Sequence, residues 1–212
     1  MKPRSILLST LFLFSAASSQ AQGTVQFQNG QITFATPADR FVYFGAVGGT
    51  KLTGTNNAAG LWYVPGADRR DVLCSAGGTQ AGALAFFRPA TTATPGVWNN
   101  GTAGNTRILD GVAIGSYATL QVRVWDITKY GTFAQAFAAG EYTWSVPFNF
   151  RAPDFAHGDP ATAAYMEGLR AFGGAPGLCP EPSALALGLL AGGACWFMRR
   201  RAGNDSRSTT AP

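Results

Sequence analysis

The chain has 212 residues, 27 of them glycine, with 13% charged, 46% hydrophobic and 12% aromatic residues. Ordinary domains carry about 7% glycine and about 25% charged residues, so the composition disfavours a helix-rich enzyme core, while the aromatic content disfavours disorder. One histidine and three cysteines leave little room for imidazole catalysis, zinc chemistry or a dense disulfide framework.

The net charge of +5 is unevenly placed. Lys2 and Arg4 lie at the start, and Arg199, Arg200, Arg201 and Arg207 lie at the end. Between Gln22 and Cys179 there are 10 basic and 9 acidic residues, so the body is nearly neutral. It lacks the basic stripe that nucleic-acid binding needs, and nucleic acid is not an expected partner.

Residues 1–21 have the three parts of a secretory signal. Lys2 and Arg4 are followed by an apolar stretch from Ile6 to Ala17, and Ser19-Gln20-Ala21 places the cut between Ala21 and Gln22. Twelve apolar residues are too few to span a bilayer.

The body, residues 22–158, reads as β-structure. Thr24–Gln28 and Gln31–Ala35 alternate with period two around Asn29-Gly30, the favoured pair for a two-residue hairpin turn. Phe41–Gly45, Leu61–Val64 and Ala83–Phe87 are shorter candidates. Thr119–Asp126 sets Leu120, Val122 and Val124 on one face and Gln121, Arg123 and Trp125 on the other. Tyr142–Phe150 aligns Tyr142, Trp144, Val146, Phe148 and Phe150, and Pro147 demands an edge position or a bulge there. Many short strands joined by Gly- and Thr-rich turns predict an all-β, antiparallel β-sandwich or jelly-roll-like fold. Asp159-Pro160 followed by Tyr165, Met166, Leu169 and Phe172 predicts a short helix over 160–172. A flexible tether then runs to residue 178.

Ser183–Met198 is sixteen residues without a charge, ended by Arg199-Arg200-Arg201. As a helix it is ~24 Å long, enough for a thin or tilted span with arginine stems and Trp196 at the interface. The charge order places the tail, residues 202–212, in the cytoplasm and the body outside. Directly before the span, Pro180-Glu181-Pro182 holds an extended, accessible backbone.

This order (Pro180-Glu181-Pro182, a short Gly/Ala/Leu-rich span, then Arg199–Arg201) resembles the PEP-CTERM sorting signal, over residues 179–201. The resemblance implies recognition of the motif by a membrane enzyme, an exosortase, which processes the protein for the surface of a Gram-negative cell. It also implies the inner membrane as a partner of the precursor and association with exopolysaccharide or biofilm. The body is similar to exported members of that family in Gly23-Thr24-Val25-Gln26-Phe27-Gln28-Asn29 and in Val122-Arg123-Val124-Trp125-Asp126. The tail after the arginines is longer than the family's usual abrupt ending.

Candidate chemistry in the body is sparse. His157 stands among Asp154 and Asp159 in a Gly/Pro-bounded loop that reads as solvated. Asp68, Asp71, Asp110 and Asp126 offer carboxylates, but no spacing singles out a hydrolytic pair. Asn100-Gly101-Thr102 matches the short glycosylation sequon. Trp62, Trp98 and Trp125 are candidates for stacking on sugar rings; the competing reading covers both faces of the Trp125 strand, with Arg123 and loop residues against the indole. Cys74 has Cys179 as a possible mate in an oxidising compartment, Cys195 lies inside the apolar run, and free thiols are the expectation. The expected function is therefore a non-enzymatic, exported surface or matrix protein without cofactor or metal. A displayed carbohydrate-binding module is the alternative.

Overall fold

Alternating apolar residues interrupted by turn-forming glycines fold here as short strands, and nearly all of them pair antiparallel. The computed structural model describes residues 22–30 and 34–174. In chain order the elements are β1 (Gln22–Gln26), β2 (Val42–Tyr43), β3 (Asn57–Pro65), α1 (Arg70–Cys74), β4 (Thr79–Gln80), β5 (Ala85–Phe87) and β6 (Trp98–Asn99). There follow β7 (Thr106–Ala113), β8 (Tyr117–Asp126), α2 (Phe133–Ala139), β9 (Tyr142–Trp144), β10 (Phe148–Arg151) and β11 (Phe172–Gly173). The fold is all-β in class, and among the described residues no helix is long and apolar enough to cross a membrane.

A seven-stranded sheet runs β10-β8-β3-β5-β6, with β4 also on β3 and β9 also on β8. Its spine is the β3–β8 pair, in register from Asn57 opposite Asp126 to Pro65 opposite Ala118. One face packs on the β1–β7 ribbon and on residues around β2 and β11, burying Leu61, Leu120, Val122, Leu109 and Phe27 together. Each such side chain contributes roughly 1.5–3 kcal/mol. The opposite face is covered by α1 and α2, which enclose Trp62, Leu73, Trp125, Phe133 and Trp144. Residues 118–125 of β8 are consequently buried on both faces.

Three expectations are corrected. Asn29-Gly30 does not close a hairpin with Gln31–Ala35: β1 pairs with β7, from Gly23 opposite Leu109 to Gln26 opposite Thr106. Phe34 and Ala35 are not strand, and residues 31–33 lie outside the described residues. Asn29 is instead buried, its amide donating to the carbonyls of Arg40 (3.0 Å) and Gly96 (2.8 Å) and accepting from Trp98 N. A tertiary brace has displaced the local turn.

The strand expected over Tyr142–Phe150 is broken in two. Trp144 stands opposite Arg123 and Phe148 opposite Leu120, so four steps on this strand answer three on β8. The extra residue is a bulge at Ser145–Pro147, where Ser145 N and Oγ bond Val122 O and N and Val146 is 52% exposed. One added residue flips the following side chains to the other face. Trp144 therefore joins the cluster under α2, while Phe148 and Phe150 enter the main core.

The helix expected over 160–172 is only a 3₁₀ turn at Ala161–Ala164, and Tyr165 is extended. Gly168 explains why the segment lies flat, because a Cβ there would stand 2.8 Å from the Phe148 ring. Met166, Leu169 and Phe172 belong to the main core, and β11 pairs with β2. This segment is thus packed with the body.

Candidate functional site

The structure brings the predicted tryptophans inside. Trp62, Trp98 and Trp125 are 8%, 2% and 3% exposed. Trp125 donates its indole N–H to Tyr130 O (3.0 Å) and meets Trp62 and Phe133 edge-on. Trp98 donates to Phe27 O and packs on the Phe27 and Phe87 rings. None offers a free ring face to a sugar.

At the centre of the aromatic cluster sits Arg123, fully buried. Its Nε donates to Gln121 Oε1 (2.9 Å), Nη1 to Ala76 O (3.0 Å), and Nη2 to Leu73 O (3.0 Å) and Gly77 O (2.7 Å). Its guanidinium carbon lies 4.8 Å from the ring centres of both Trp62 and Phe133, and 5.8 Å from that of Trp144. The three carbonyls lie at and just past the end of α1: Leu73 O also accepts from Ala76 N (3.1 Å), while Ala76 O and Gly77 O take their donors from the guanidinium, which caps that end. Burial pulls the Arg123 pKa down to about 10, which leaves it charged at neutral pH.

Sequence reasoning set Arg123 against Trp125 and missed the clamp on α1. The available signal was an arginine inside a strand buried on both faces, which demands acceptors from somewhere. Gly60 and Gly78 make room for this arrangement. A Cβ on Gly60 would lie 2.5 Å from the Trp62 ring, and one on Gly78 (φ +93°) would lie 2.8 Å from Leu73 Cδ2.

A cleft of about 650 Å³ opens beside the ends of β8 and β9, lined among others by Phe44, Lys51, Asn56, Asp126, Glu141 and Tyr142. Its charged groups are engaged by neighbouring side chains and backbone. Asp126 accepts from Thr128 Oγ1 (2.6 Å), Thr128 N and Asn56, and the Thr128 hydroxyl foremost holds its carboxyl below the usual range. Lys129 pairs with Glu141 at 2.9 Å, and Lys51 lies over the Phe41 ring. The cleft can accommodate a small polar ligand, but it presents no nucleophile with a base beside it.

The other candidates serve local structure. Asp154 caps the turn at Phe155–His157 and bonds His157 Nδ1 (2.7 Å), while Asp159 pairs with Arg151. Asp68 bonds Asn149, and the backbone carbonyl of Asp110 accepts from Tyr63. Among the described residues, no three His, Cys, Asp or Glu side chains converge. Asn100 of the sequon is 6% exposed, with its amide donating to Phe27 O and Asn105 and accepting from Arg107 (2.6 Å). An oligosaccharyl enzyme has no access to that nitrogen in the folded body.

Cys74, expected as a free thiol, is disulfide-bonded. Gln22, which follows the expected signal cut, begins β1. Ala21, the expected sorting motif Pro180, Glu181 and Pro182, the apolar run and Arg199, Arg200 and Arg201 lie outside the described residues. No protein-family model, curated protein or solved structure matches the chain.

Proposed function

We propose that the chain is an exported, non-enzymatic surface or matrix protein, anchored first by Ser183–Met198 and then processed by an exosortase at Pro180-Glu181-Pro182. One observation carries the reading: the motif, a short uncharged run and an arginine cluster follow in that order behind a signal-like N-terminus. The bonded state of Cys74 supports it, since disulfides persist in oxidising compartments. Six residues in sequence lie between Gly173 at the end of β11 and Pro180.

In this reading the body is a β-sandwich of jelly-roll-like type, the β1–β7 ribbon facing the large sheet across the main core. It is displayed outside the inner membrane and associates with exopolysaccharide through its surface rather than through Trp62, Trp98 or Trp125, which are buried. The test replaces Pro180 and Glu181 with alanine in a host that carries an exosortase. The variant is expected to accumulate in the membrane fraction at precursor mass while the unaltered chain leaves it. Equal release of both refutes the reading.

A further inference from the structure

Cys74 is disulfide-bonded within a chain of three cysteines, and it is the sole cysteine among the described residues. Its mate is therefore Cys179 or Cys195. Cys195 lies inside an uncharged run of sixteen residues bounded by three arginines, whereas Cys179 stands directly before Pro180, on the body side of the motif. We propose that Cys74 pairs with Cys179, so that the residue preceding the sorting motif is stapled to α1.

The staple has a rigid foot. Arg123 holds Leu73 O on one side of Cys74 and Ala76 O and Gly77 O on the other, and Leu73 is wholly buried under the sheet. Disulfide geometry keeps the two Cα atoms about 4.4–6.8 Å apart, which fixes the start of the motif beside α1. An enzyme reading Pro180-Glu181-Pro182 then meets it against a folded surface instead of at the end of a loose tether. Cleavage beyond the motif leaves Cys179 with the body, so the staple persists in the mature protein.

Forming the bond removes two protons and two electrons from the two thiols. A thiol–disulfide oxidase of the exported compartment accepts them, its own disulfide being reduced to a dithiol.

This inference rests on the proposed sorting role only for its consequence; the pairing is tested independently. The full chain, purified without reductant after thiol blocking, is digested with trypsin. Asp71–Arg107 is expected joined to Ala171–Arg199, since the Arg88–Pro89 bond resists trypsin, with tandem fragmentation placing the link at Cys179. The Cys195→Ser chain should keep the link and Cys179→Ser should lose it. A link to Cys195, or a blocked and hence free Cys74 thiol, overturns the pairing. Processing by exosortase, scored on the same samples by mass, bears on the sorting role alone.

Discussion

Arg123 offers the most demanding test of how this body holds together. Replacing it with alanine strands Gln121 Oε1 and the carbonyls of Ala76 and Gly77, takes one of two donors from Leu73 O, and empties the space between Trp62 and Phe133. A stranded buried acceptor costs about 1–3 kcal/mol, and removing one member of a buried charged network costs about 3–5 kcal/mol. Because α1 is short and can ease outward to water, each of the three stranded acceptors costs about 1 kcal/mol, and with the emptied space the predicted loss for Arg123→Ala is about 4 kcal/mol. Arg123→Met restores the stem's packing but not the donors and should lose about 3 kcal/mol. Arg123→Lys keeps the charge without the planar fork and should lose about 2 kcal/mol. Urea unfolding followed by tryptophan fluorescence reads all three, since four indoles lie in the two cores. A methionine variant as stable as the unaltered protein would refute the reasoning, because it would show that α1's carbonyls do not need the guanidinium.

Three further outcomes follow from the same structure. Gly60→Ala forces a Cβ onto the Trp62 ring and should cost about 1–3 kcal/mol in thermal unfolding, against a smaller loss for Gly140→Ala, whose Cβ meets open space at positive φ. Native fluorescence should be blue-shifted and poorly quenched by iodide, and soluble glycans should leave it unchanged; ready quenching would contradict the burial of Trp62, Trp98 and Trp125. Asp126 has its folded pKa depressed, so its contribution is present above the ordinary carboxyl range and is lost as pH falls through the folded value. Asp126→Asn should therefore flatten the acid limb of a stability–pH profile, and an unchanged limb would refute this.

Alternation made the β class legible, and β8 most of all, because Leu120, Val122 and Val124 repeat at the pleat's period. The period could not say that Gln121, Arg123 and Trp125 are covered as well, since that depends on where α1 and α2 land. Thr132 and Gln135 form a capping box and Gly140 closes α2 in the left-handed region, a local helix signal overlooked within an Ala-rich segment. By contrast, the bulge at Ser145–Pro147 was announced by Pro147, yet its effect on the faces of Trp144 and Phe148 required the register against β8. Asn29-Gly30 misled because a strong turn signal lost to long-range bonds with Arg40, Gly96 and Trp98, which no local pattern reveals. The aromatic candidates failed for a related reason: a tryptophan on a strand's second face is a binding residue only where nothing packs above it.

The central claim is that this body is exported and cut free at its sorting motif. Intact-mass measurement of the protein from hosts with and without an exosortase tests it most directly. The account predicts loss of residues 1–21 in both hosts, and loss of the segment beyond Pro180-Glu181-Pro182 only where the exosortase is present. A mass retaining Ser183–Pro212 in both hosts would contradict it and leave a membrane-anchored ectodomain.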